Sequence, residues 1–261
     1  MRKNLIVTIM LGDDPSFYFA KKSFKDYANK VNADFLCIDK VPKKLHPFYK
    51  SNNLLDALFE KLNLGIFLKK YERILYLDGD ILITPHAQNI FNVYKDPNKL
   101  YMFNEGLLSN RSKELNIISS RLKKTIKDRN YFNAGVILFS RKINFLQKIR
   151  IQDLEYFFKK SSWFDQTYIN FKYRVNNLKV GSLDYKFNRI GGYRDNNKRF
   201  SANFIHYAGN VYCNKKMRPI YMLKDYCNLY NYSLTSKEKI NFAAQYFKIR
   251  TLRIFNKFKI F

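Results

Sequence analysis

A chain of 261 residues with 46% apolar and 17% aromatic side chains can bury a full core, which excludes a disordered protein and leaves room for one α/β domain with a tail. Its 48 Lys and Arg against 21 Asp and Glu give a net charge of +27, so the surface attracts anions: phosphate, acidic lipid or nucleic acid. Three cysteines without Cys-x-x-Cys spacing argue against a zinc site or a disulfide framework and make a reduced, cytoplasmic setting the default.

The near-continuous apolar run over residues 4–11 is predicted to be a strand covered on both faces, as in a parallel sheet. It meets Gly12-Asp13-Asp14 with no small-residue cleavage site, unlike a signal peptide, and no run in the chain approaches the ~20 apolar residues that span a bilayer. Ser16 is the expected cap of a helix to about residue 32, and residues 33–39 read as a second strand, giving a β-α-β opening. Leu54, Leu55, Leu58, Leu62, Ile66 and Phe67 recur at helical spacing, which predicts a helix over 53–71 leading into a strand over 73–77. Asp78-Gly79-Asp80 follows at the C-terminal end of that strand, where ligands gather in open parallel sheets, before apolar residues resume at Ile81. Further strands are expected over 100–103, 136–139, 179–183 and 203–207. The polar, basic stretch 107–130 suits either a flap over a site or an exposed helix.

The composition changes near residue 236, so a domain over 1–235 and a tail over 236–261 are expected. In the tail Ile240, Ala243, Phe247, Thr251, Ile254, Phe258 and Phe261 line one face of a helix, with lysines and arginines elsewhere. A basic, aromatic helix suits an anionic membrane surface, which would place the protein peripherally on the cytoplasmic face; a helix packed on the body fits the same pattern.

Chemistry enters at the acidic pair. A departing nucleoside diphosphate gathers negative charge, which a cation seated against both phosphates would neutralise. Carboxylates are hard oxygen ligands for Mg²⁺ or Mn²⁺, and an added imidazole favours Mn²⁺. Asp78 and Asp80 form the only break in Ile-Leu-Tyr-Leu-Asp-Gly-Asp-Ile-Leu-Ile, and semi-buried paired acids are costly unless they bind something positive. Gly79 between them is expected to allow close approach of a ligand. A solvated loop or a helix cap is the competing reading of such a pair.

The motifs, in their order over residues 4–209, resemble the GT-A glycosyltransferases, in particular family 8, the glycogenin and lipopolysaccharide galactosyltransferase group. The resemblance implies a mixed, mainly parallel sheet flanked by helices, a nucleotide-sugar donor such as a UDP-sugar, a divalent metal and a glycan or glycolipid acceptor. Ile6-Val7-Thr8 is similar to the first strand, whose end borders the nucleotide base. Lys61 resembles a lysine that approaches the donor, although a solvated helix lysine fits equally. Phe132-Asn133-Ala134-Gly135-Val136 is similar to the F-N-[SA]-G-V stretch, whose Asn and Gly lie against the donor sugar. Asp165-Gln166 with Asn170 resembles the D-Q-x-x-x-N helix that serves the donor sugar and the reaction centre, and Asn188 resembles the Y-N position near the site. His206 in His-Tyr-Ala-Gly looks like the third metal ligand, joining Asp78 and Asp80, with Gly209 near the diphosphate.

The match departs after Gly209. The family's K-P-W is replaced by Asn-Val-Tyr-Cys-Asn-Lys-Lys-Met-Arg-Pro, where Lys215 or Lys216 is the weakly indicated phosphate partner. The glycogenin resemblance implies retention of configuration, with no strong general base; for inversion, Asp165 is the best candidate base. Two rivals come from other classes. A basic nucleic-acid binder gains from the charge but shows no recognisable module, so no specific nucleic-acid partner is expected. A sugar nucleotidylyltransferase would want a Gly-rich phosphate loop after the first strand, and Met10-Leu11-Gly12-Asp13 does not supply one.

Overall fold

In the computed structural model, which describes residues 2–41, 52–143, 146, 149–191, 196–244 and 246–247, the opening apolar run is strand β1 (Arg2–Ile9). It leads through helix α1 (Ser16–Lys30) to strand β2 (Asp34–Ile38), the expected β-α-β unit. Asp14, and not Ser16, caps α1: its carboxylate accepts from the Ser16 amide at 2.9 Å, while Ser16 itself is buried. The expected single helix over 53–71 splits into α2 (Asn53–Lys61) and a 3₁₀ stretch (Leu64–Lys69), because Asn63 and Gly65 are poor helix residues at the joint.

Then come β3 (Tyr71–Leu77), β4 (Ile81–Ile83), the single turn α3 (Ile90–Val93) and β5 (Leu100–Asn104). Of the two readings of 107–130, the helix is the one found: α4 (Ser112–Leu122) buries Leu115 and Ile118. Next are β6 (Phe132–Ser140), α5 (Ile151–Lys160) and α6 (Phe164–Val175). The chain continues through β7 (Val180–Ser182), β8 (Arg189–Ile190), β9 (Phe204–His206) and α7 (Arg218–Tyr230).

Six strands make a mixed sheet in the order β2-β1-β3-β6-β5-β7, with β1 parallel to both neighbours and β6 antiparallel to β3 and β5. A small sheet, β4-β9-β8, packs beside it. Strand alternation divides the core into two layers. Leu5, Val7, Ile74 and Tyr76 face α2, α5 and α6, whereas Ile6, Leu75 and Leu77 face α1, α7 and the small sheet. Each such fully buried aliphatic or aromatic side chain contributes about 1.5–3 kcal/mol of transfer free energy.

One irregularity matters for the site. Between the pairs Tyr101↔Leu138 and Phe103↔Asn133, β6 advances five residues against two on β5. The extra residues lie within 134–137 and form a bulge whose start is held by the Asn133 side chain accepting from the Gly135 amide at 2.9 Å. The bulge also fixes the end of β3, since the Asp78 amide donates to the Gly135 carbonyl at 2.8 Å.

Residues 236–244 are helical and begin at a capping box, with Glu238 accepting from the Thr235 amide at 2.8 Å and Thr235 Oγ1 accepting from the Glu238 amide at 3.3 Å. Phe242 is buried against Phe19 of α1, whereas Ile240 and Phe247 of the expected apolar stripe are 68% and 65% exposed. Thr251, Ile254, Phe258 and Phe261 lie outside the described residues. Among the described residues no helix is long and apolar enough to cross a membrane.

Candidate active site

The C-terminal ends of β1 and β3, the bulge of β6, the first turn of α6 and the start of α7 surround a cleft of about 710 Å³. Burial of β3 on both sheet faces carries its chain end, Asp78-Gly79-Asp80, to the cleft floor. Pairing of β4 with β9 then sets Ile81 opposite His206. As a result Asp78, Asp80 and His206, far apart in sequence, bring one ligand atom each to within 4.8 Å of one another. The His206 Nε2 lies 3.2 Å from Asp80 Oδ1 and 3.9 Å from Asp78 Oδ2.

The orientation of His206 follows from a chain of hydrogen bonds that begins at a backbone amide. The Gly135 N–H must donate, so the Asn133 atom facing it is Oδ1; that oxygen also accepts from Asn188 Nδ2 at 2.9 Å. Asn188 therefore turns its own Oδ1 to His206 Nδ1, 2.8 Å away, and Nδ1 carries the proton. Nε2 is the nitrogen turned to the two carboxylates: with a proton it pairs with Asp80, and without one it offers the lone pair a metal ligand requires. Gly135 makes room for this ring, since a Cβ there would sit 2.2 Å from His206 Cε1.

Two carboxylate oxygens and one imidazole nitrogen, semi-buried and convergent, fit Mn²⁺ or Mg²⁺ by their chemistry. The surrounding charges keep Asp80 ionised. Burial works to raise the Asp80 pKa, but His206, Arg218 and Lys61 outweigh it and hold the carboxyl below the ordinary range. Asp78 Oδ1 accepts from the Tyr76 hydroxyl at 2.6 Å and meets Lys61 Nζ at 2.9 Å, leaving Oδ2 toward His206. Lys61 is only 3% exposed and also pairs with Asp165 at 2.6 Å. Burial opposes its charge; Asp165 and Asp78 overcome that and raise its pKa well above the usual value.

Beyond the acids, Gln166 accepts from Asn133 Nδ2 at 3.0 Å and from the Ala134 amide at 3.2 Å, and donates to Glu105 Oε2 at 3.0 Å. Glu105 is paired in turn with Arg111, whose guanidinium lies 4.1 Å over the ring of Trp163 at the cleft wall. Asn170, one turn along α6, is spent on the bulge strand, with its side chain bonded to both the amide and the carbonyl of Phe132.

A mixed sheet with acids at a central strand end and an imidazole delivered from a side sheet is the setting in which the comparisons with known proteins have meaning. The model of glycosyl transferase family 8 matches residues 14–216, more than half of the chain. The chain belongs to glycosyl transferase family 8. Its fold is the GT-A fold of solved glycosyltransferases. One, involved in glycosylation of the major capsid of PBCV-1, is 13% identical with a TM-score of 0.54, over 85% of this chain and 98% of that one. The galactosyltransferase LgtC, in complex with donor and acceptor sugar analogues, is 15% identical with a TM-score of 0.54, over 89% and 98%. The bifunctional glycosyltransferase WbbM is 14% identical with a TM-score of 0.54, over 86% of this chain and 49% of that one. A comparison with curated protein sequences gives no match.

Within this family 8 fold, Lys61, Asp78, Asp80, Asn133, Asp165, Gln166, His206 and Gly209 all line one cleft. Asn188 and Gly135 stand behind it, one orienting His206 and the other giving it space. Thr8 is fully buried, and the wall at the end of β1 is formed by Ile9 and Leu11. Gly79 serves packing, because a Cβ there would meet the Phe17 ring at 2.7 Å. Lys215 and Lys216 are exposed, Lys215 lines the cleft, and Arg218 is buried at its floor beside Asp80. Glu105, Trp163 and Arg218 escaped the sequence reading. Glu105 had a signal of the same kind as Asp78, an acid just past an apolar strand; Trp163 stands two residues before Asp165 as the chain's single tryptophan.

Proposed function

We propose that this family 8 enzyme moves a hexose-type sugar from a nucleoside diphosphate sugar, a UDP-sugar in the first instance, to a hydroxyl of a glycan or glycolipid acceptor, with Mn²⁺ or Mg²⁺ held by Asp78, Asp80 and His206. The observation that carries this reading is the Asn188–His206 bond of 2.8 Å, which occupies Nδ1 and turns Nε2 to the two acids, where it can ligate an ion. A cation so held would neutralise charge on the departing diphosphate.

The chain's own groups supply position. Asn133, Gln166 and Glu105 are tied to one another along the cleft wall, so they can orient a sugar ring with little rearrangement. Asp165 is bound to the Lys61 ammonium, which favours a retaining reaction without a strong general base over inversion with Asp165 as that base. Trp163, 45% exposed, offers a flat face to an acceptor sugar. The exposed Ile240 and Phe247, among the tail's lysines, support a peripheral contact with anionic membrane and hence a lipid-linked acceptor.

Purified protein incubated with a panel of nucleotide sugars and Mn²⁺ is expected to hydrolyse one of them slowly. Asp80→Asn and His206→Ala should each lower that rate by about 10²–10³-fold while the far-ultraviolet circular dichroism spectrum stays that of the wild type. Full activity in both variants would overturn the assignment.

A further inference from the structure

Arg218 opens α7 and is 8% exposed, yet its guanidinium is only partly satisfied. Nη1 pairs with Asp80 Oδ2 at 2.9 Å, while Nε is buried without a hydrogen-bond partner. Guanidinium groups carry five donors in a rigid fork suited to carboxylate or phosphate, so a buried fork with an idle Nε is built for a larger anion than the one oxygen it holds. That oxygen belongs to a carboxylate assigned above to the metal. Asp80 presents Oδ1 to His206 and Oδ2 to Arg218, so in the resting cleft the arginine charge already occupies one side of the cation seat.

The middle of α7 is anchored beside the strand that carries His206. Arg199 holds Asp225 of α7 through two bonds of 2.7 Å, and the Tyr207 hydroxyl donates to Asp225 as well. The Tyr207 amide donates to the Asp80 carbonyl at 2.9 Å. Arg218 is thus delivered to the cleft floor by a helix fixed at its middle, whose positive dipole end also favours an anion.

We propose that Arg218 is a stand-in cation: it neutralises Asp80 when the cleft is empty, and hands Asp80 to the metal while its own fork turns to the donor diphosphate. This rests on the metal-dependent reading above. Two cations sharing one carboxylate compete, so metal alone binds weakly. A diphosphate that draws Arg218 away removes the competitor, and by reciprocity metal and diphosphate strengthen each other by the same factor.

The test measures Mn²⁺ affinity by electron paramagnetic resonance and UDP affinity by calorimetry, for the wild-type protein, Arg218→Met, Arg218→Lys and Asp80→Asn. In the wild type, UDP is expected to tighten Mn²⁺ about tenfold, within the usual range of coupling. Arg218→Met should bind Mn²⁺ alone several-fold more tightly, bind UDP about tenfold more weakly and keep only the smaller coupling that direct attraction between metal and diphosphate supplies. Arg218→Lys should recover part of the coupling, which separates loss of the cation from loss of the fold. Unchanged Mn²⁺ affinity and intact coupling in a folded Arg218→Met would overturn the stand-in role while leaving the metal site standing. If Asp80→Asn binds Mn²⁺ as the wild type does, the metal site itself fails, and the exchange with it.

Discussion

Lys61 is the residue on which the electrostatics of the cleft turn. It is a lysine 3% exposed, held between Asp165 at 2.6 Å and Asp78 at 2.9 Å, so its removal strands two carboxylates in a low-dielectric setting. Breaking one partner of a buried ion pair costs about 3–5 kcal/mol, and Lys61→Met is expected to lower unfolding free energy by that order. Urea titration checks it; a loss below about 1 kcal/mol, typical of a surface pair, would show that the ammonium is effectively solvated. The spacing of Leu58, Leu62 and Phe67 put Lys61 on a helix but did not say which side it faced. Its burial follows from acids that lie 17 and 104 residues further along the chain.

At the scale of elements, the bulge of β6 shapes the cleft and the 236–244 helix bears on the proposed membrane contact. The bulge turns Asn133 toward Asn188 and Gln166, ties Asp78 to Gly135 and clears space for the His206 ring. The motif Asn-Ala-Gly was legible, but its work as a support for His206 was not, because the contact comes from a strand 71 residues later. In the tail, the alternating three- and four-residue steps marked Ile240 and Phe247 as an apolar face and passed over Phe242, which is the side chain that docks on Phe19. The described part of that stripe, Ile240, Ala243 and Phe247, therefore faces outward. Replacing both Ile240 and Phe247 by Asp should abolish flotation with anionic liposomes and leave neutral liposomes unaffected. Equal recovery of both proteins on anionic vesicles would remove the membrane contact.

Across the whole molecule, the division of the apolar run between two core layers explains why the fold was readable: β1 and β3 are apolar on both faces, as central strands in a layered α/β domain must be. The antiparallel setting of β6 and the small β4-β9-β8 sheet were not readable, since both are pairings between distant segments with no local signature. That small sheet is nevertheless what delivers His206 to the acids, and the 3₁₀ turn at Lys215–Met217 leads into the helix that sets Arg218 beside Asp80. The central claim, that a divalent ion sits among Asp78, Asp80 and His206, is tested most directly by a crystal of the full chain soaked with MnCl₂ and UDP and measured at the manganese absorption edge. The account predicts an anomalous peak bonded to both carboxylates and to His206 Nε2, at about 2.0–2.3 Å as expected for first-row metal ligands. A peak bound elsewhere, or none between these three side chains, would contradict it.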